Sequence, residues 1–181
     1  MALVPKDPLL AAARFIIAFF IVALAIGLAA IAIAIPAALL NQGAILAEMT
    51  KDGHTVVAPN FFTVITITLL IAAVVLALGV WFLVVLRRIV GTVATGDPFI
   101  RENGDRLSLM GWLALAGQAA AVPLGASVLW LAGSVEDHDS VRVDNDYGFS
   151  GGGVILVLVL FILARVFRQG DAMREDLEGT V

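Results

Sequence analysis

Four long runs of apolar residues, set apart by short polar segments, decide what this chain can fold into. They cover residues 15–40, 61–86 and 110–132, with a fourth centred on 151–164 that Phe149 and Phe167 extend to 149–167. A hydrocarbon core about 30 Å thick takes roughly 20 apolar residues of helix, so uncharged stretches of about 18 or more are candidate spans. The first run, FIIAFFIVALAIGLAAIAIAIPAALL, follows Lys6 and Arg14 as a secretory signal would. It is far longer than the roughly 7–15 residues of a signal h-region, so it reads as an uncleaved span. Pro36 is expected to kink or end it. In the second run Thr63, Thr66 and Thr68 can bond back to carbonyls of their own helix. The chain is 61% apolar and 14% charged, with a mean hydropathy of +1.02. Soluble domains carry about 45–50% and about 25%, so a water-soluble globule is excluded.

The fold class expected is all-α: one membrane domain over 1–181, an antiparallel bundle of four spans. Trp112 and Trp130 stand one bilayer apart along the third span, as do Phe62 and Trp81 along the second, where aromatic anchors belong. Lys and Arg number two before span one, one in 41–60, four in 87–109, one in 133–150 and three from Arg165 onward. Under alternating topology nine therefore share one side and two the other, and basic residues stay cytoplasmic. The reading is a multi-pass protein of a bacterial inner membrane. Both termini, the loop 87–109 and the tail 168–181 are inside, and the loops 41–60 and 133–148 are outside.

The inner loop carries the strongest local signals. Arg87 and Arg88 anchor the end of span two, and Asp97-Pro98 is a helix start, with an aspartate cap and a proline at the first helical position. The expectation is a short helix lying along the membrane before span three. Glu102 and Arg106 stand four apart on it, as do Arg101 and Asp105, and Phe99, Ile100 and Leu107 would dip into the interface. The block Gly96-Asp97-Pro98-Phe99, then Glu102-Asn103-Gly104-Asp105-Arg106-Leu107 and Gly111-Trp112, resembles the bacterial four-span membrane proteins of domain-of-unknown-function family 2975. That resemblance brings no biochemical activity and no catalytic residue. It implies association with a small cytoplasmic helix-turn-helix regulator. The loop then has two readings: a capped amphipathic linker, or a docking surface on which Asp97, Pro98, Phe99, Arg101, Asn103 and Arg106 meet a partner.

The remaining constellations have simpler roles open to them. Without cysteine there is no disulfide, thiolate nucleophile or Cys-based metal site. A net charge of −4 offers no basic face for direct nucleic-acid binding. Glu136, Asp137, His138, Asp139, Asp144 and Asp146 form the densest set of oxygen ligands and the one candidate cation site. Ile155 stands where a calcium loop needs its closing glutamate, and charge runs are usually just hydrated. No cofactor is implied. Ionisable residues inside a membrane mark ion paths and proton relays, yet spans one to three hold none, and Arg165 near the inner end of span four reads as snorkelling to the interface. Gln118 is the one strongly polar residue at mid-span, read as a bond to a neighbouring helix. Gly117, Ala121 and Gly125 form a small-residue ladder that makes span three the expected packing centre, against span one or another copy of the chain. The tail from Gln169 reads as a frayed end or a small partner handle.

Three functions remain open on these residues. The leading one, by elimination, is a non-enzymatic regulatory, sensory or interaction module in the bilayer, able to hold a cytoplasmic regulator. The second is a small oligomeric permease or channel subunit with Gln118 and the span-two threonines along its path. The third is a membrane enzyme acting on a lipid or quinone through Asp97, Glu102, Asp105 or His138.

Overall fold

Every apolar run is helical in the computed structural model, which describes residues 8–53, 55–56, 58–94, 100–136 and 150–178. The order is α1 (Pro8–Leu40), α2 (Gln42–Lys51), β1 (Thr55–Val56), α3 (Phe61–Ala94), α4 (Arg101–Gly133), β2 (Val135–Glu136) and α5 (Gly151–Glu178). Helices α1, α3, α4 and α5 are long and apolar enough to cross a membrane. Protein buries only 6% of the most apolar stretch of α1 and of α3, so the medium around them must itself be apolar.

Several local expectations hold. Thr66 and Thr68 donate to the carbonyls of Phe62 and Val64, each at 2.8 Å. These bonds keep the hydroxyls inside the helix, where lipid offers no partner. Other boundaries differ. Pro36 does not end α1, which continues to Leu40. A proline removes one bond to the preceding turn, and membrane helices tolerate that loss. The helix closes at Asn41, whose side-chain and main-chain nitrogens both donate to the carbonyl of Ala37.

Two expectations are corrected. Among the described residues no separate interfacial helix precedes span three: Arg101 through Leu109 are the first turns of α4, which runs unbroken to Gly133. The proposed cap at Asp97-Pro98 lies outside the described residues. The tail is not frayed at Gln169, because α5 stays helical to Glu178.

The chain divides into two compact units, Met1–Leu24 with Leu78–Ala116 and Ser150–Val181, and Ala25–Ala77 with Gly117–Phe149. In the second unit, a Cβ added at Gly27 would lie 3.3 Å from Leu76 Cδ1, which brings α1 close to α3 there. Helix α2 ends where the Asp52 and Gly53 amides donate to Glu48 and Thr50. Gly53 follows in the left-handed region at φ 83°, which a side chain would disfavour.

The two loops between spans then meet, Thr55 opposite Glu136 and Val56 opposite Val135, in an antiparallel clasp. Facing residues of such a pair have Cα atoms about 4.5–5.5 Å apart, within the roughly 4.4–6.8 Å that a disulfide needs. With no native cysteine to interfere, Val56→Cys with Val135→Cys is expected to close a disulfide under mild oxidation. Loss of maleimide labelling that a reductant restores would report it; labelling untouched by oxidant would refute the clasp.

The first unit holds a layered core. Val85 and Ile89 of α3, Leu107 and Met110 of α4, and Leu160 and Ala164 of α5 are buried together, with Phe82, Leu86, Leu109, Ala114 and Phe167 packed around them. Each helix contributes at spacings of three and four, the period of one helical face.

Candidate functional site at the α3–α4–α5 seam

Near the end of α3 and the start of α4, polar side chains enter that core in a chain of hydrogen bonds. Asn103 is completely buried, at 0% exposure, which an amide tolerates only when its groups are bonded. Its Nδ2 donates to Thr92 Oγ1 at 2.7 Å, and its Oδ1 accepts from Arg106 Nη1 at 2.8 Å. Thr92 Oγ1 in turn donates to the carbonyl of Ile89 at 2.7 Å. The amide therefore ties α3 to α4 and fixes the Arg106 guanidinium. This corrects the docking expectation for Asn103, which faces the core. Of its companions, Arg101 is exposed and Arg106 half-buried, while Asp97, Pro98 and Phe99 lie outside the described residues.

One residue on, Gly104 sets the approach of α5. A Cβ there would stand 2.7 Å from Arg168 Cγ and 3.3 Å from the carbonyl oxygen of Ala164. Two turns further, Gly111 lies under the Phe161 ring, three of whose atoms would be 3.0–3.1 Å from an added Cβ. That ring meets Trp112 edge-on, with centroids 5.5 Å apart. The close-approach glycines of this seam are thus Gly104 and Gly111; of the expected ladder, Gly117 would give an added Cβ open space, while Gly125 is buried. The sequence shows neither Thr92, eleven residues before Asn103 and across the inner loop from it, nor the α5 partners, since nothing local announces a neighbour some 50–60 residues away.

Beyond Gly104 the seam becomes polar. Arg168 Nη1 lies 3.7 Å from Asp105 Oδ1, and Nη2 donates to Ser108 Oγ at 3.4 Å. Both contacts are long and exposed, so they contribute little to stability and leave most guanidinium donors uncommitted. Arg168 borders a recess of about 250 Å³ that, among the described residues, Arg101, Asp171 and Ala172 also line. Among the described residues, the Arg101 and Asp171 side chains have neither a hydrogen bond nor an ion pair.

The remaining candidates give less. Gln118 is engaged by another group of the chain. Of the acidic cluster, Asp137, His138, Asp139, Asp144 and Asp146 lie outside the described residues, and Glu136 is described only as backbone of β2. Among the described residues, no three metal-ligating side chains converge.

Four membrane-length apolar helices and a braced polar seam at one end of them define a multi-pass membrane protein. The chain belongs to the family described as protein of unknown function (DUF2975), whose model matches residues 44–181, from within α2 to the last residue. The block from Gly96 to Trp112 that carries the resemblance falls inside that match. No curated protein and no solved structure matches the chain.

Proposed function

We propose that this chain is a non-enzymatic regulatory or interaction module of a bacterial inner membrane, holding a soluble partner on its cytoplasmic side. The observation that carries the reading is the length of α5, which stays helical to Glu178, eleven residues past Phe167. That is about 16 Å of ordered helix beyond the apolar run, more than anchoring in lipid requires. The unit containing this extension also contains both termini and nine of the eleven Lys and Arg residues, which supports placing it inside. The partner implied by the family resemblance is a small helix-turn-helix regulator. Arg101 and the extension of α5 are the surfaces offered to it.

Two experiments test this. Reporters fused after Lys51 and after Asp139 should read outside, and one fused after Asn103 inside; a cytoplasmic reading at Asp139 overturns the orientation. Affinity capture from native membranes after brief crosslinking should recover a small soluble DNA-binding protein with the full chain. A chain ending at Met173, which keeps the seam and loses the end of α5, should not recover it. Recovery of nothing but further copies of the chain would sink the regulatory reading.

A further inference from the structure

The recess at the polar end of the seam, on the surface assigned above to the partner, has a charge pattern that the fold does not use. Among the described residues, Arg101 and Arg168 border it as two cations and Asp171 as one anion, with Ala172 as an apolar wall. Arg101 is exposed and unbonded among the described residues, and Arg168 is held only by long contacts to Asp105 and Ser108. Asp171 is half-buried and likewise unbonded. At about 250 Å³ the recess falls below the roughly 300–1,000 Å³ of pockets for drug-sized ligands, and suits one small polar group.

Its depth narrows the chemistry. Along α5 the exposed apolar side chains Ile155, Leu158, Val159, Ile162 and Val166 mark the face in hydrocarbon. Arg168 and Asp171 follow Val166 by two and five residues, about 3 and 8 Å of helix rise, which is the headgroup layer. Guanidinium forks match the paired oxygens of a phosphate. A carboxylate beside them repels a bare anion but accepts from an ammonium.

We propose that the recess formed by Arg101, Arg168 and Asp171 binds a phosphate bearing an adjacent ammonium. The two arginines take the phosphate oxygens and Asp171 the ammonium. The group comes from a phosphatidylethanolamine headgroup or from a soluble phosphoethanolamine. This inference goes beyond the regulatory reading and stands or falls without it.

The test uses the full chain purified in a non-ionic detergent free of phospholipid, titrated calorimetrically with three probes. These are dihexanoyl phosphatidylethanolamine, phosphoethanolamine and inorganic phosphate. Binding of both ethanolamine probes shows that the headgroup alone is recognised; binding of the lipid alone identifies the membrane as the source; binding of the soluble ester alone identifies a cytoplasmic ligand. In each case Arg101→Gln should weaken binding about tenfold, the loss of one charge-assisted contact. Arg168→Met should do the same while keeping the stem that packs on Gly104. Asp171→Asn separates the assignment from general surface charge, because it should weaken phosphoethanolamine and strengthen inorganic phosphate. Glu102→Gln, which removes the exposed charge next to Arg101 in the chain, should change nothing. Absence of binding by both ethanolamine probes, equal affinities in wild type and Arg101→Gln, or responses of the same sign to Asp171→Asn would each overturn the proposal.

Discussion

Asn103→Ala should lower the unfolding free energy in detergent by about 2 kcal/mol, the range for a buried hydrogen bond to a charged group lost together with its neighbour. At least two bonds disappear at once, from Arg106 Nη1 to Oδ1 and from Nδ2 to Thr92 Oγ1. The Thr92 hydroxyl retains its bond to Ile89, so the larger share of the cost comes from the Arg106 guanidinium losing its anchor. Thr92→Val should cost less than Asn103→Ala. The double variant should fall short of the sum by at least about 0.5 kcal/mol, since residues in one network do not add. Bonds between membrane helices average only about 0.6 kcal/mol, because the unfolded chain also finds partners in the bilayer. A measured loss near that value for Asn103→Ala would mean that Arg106 is satisfied by water and that the amide is no brace. The same variant guards the functional test. If Asn103→Ala abolishes partner capture but also lowers the melting temperature, the loss belongs to the fold and not to a contact surface.

How far such details could be read in advance depends on what each residue faces. The spans were legible because the bilayer imposes a length and a composition on them. Which side of a span touches protein was not, since lipid tails are as apolar as leucine and both sides of α1 read alike. The start of α4 is the exception, because its outward face is polar. There Asn103, Leu107, Met110 and Ala114 fall on one helical face, and that face is the one in the core. The block Glu102-Asn103-Gly104-Asp105-Arg106-Leu107 could therefore have been read as packing, with Asn103 inside. The charges on either side of it point instead to an exposed surface. The clasp between β1 and β2 left no trace in the sequence, as two-residue strands paired across some 80 residues have no periodicity to detect. The unbroken start of α4 was obscured by Asp97-Pro98, a start signal ahead of the first described helical residue, Arg101.

The glycines of α4 supply the other large effect, and its ranking follows from what an added side chain would meet. At Gly104 the obstacles are the Arg168 stem at 2.7 Å and the Ala164 carbonyl oxygen at 3.3 Å. The stem can swing away, but the carbonyl belongs to the α5 backbone, so a β-branched residue must push the two helices apart. At Gly111 the obstacle is the flat Phe161 ring at 3.0–3.1 Å, itself braced edge-on by Trp112. Gly104→Val and Gly111→Val should each cost about 1–3 kcal/mol, the usual range for overpacking. Gly117→Val, which enters open space on the same helix, should be close to neutral. Melting of the three variants in one detergent supplies the comparison, and comparable losses at all three positions would show that valine in α4 is costly for reasons unrelated to α5. Suppression gives a sharper criterion. Phe161→Ala should recover part of the loss caused by Gly111→Val, because it removes the ring the new methyl groups strike, and none of the loss caused by Gly104→Val, whose obstacle lies two turns away on the backbone. If Phe161→Ala relieves both equally, the two glycines do not mark separate points of contact, and the close approach of α4 and α5 is one adjustable surface.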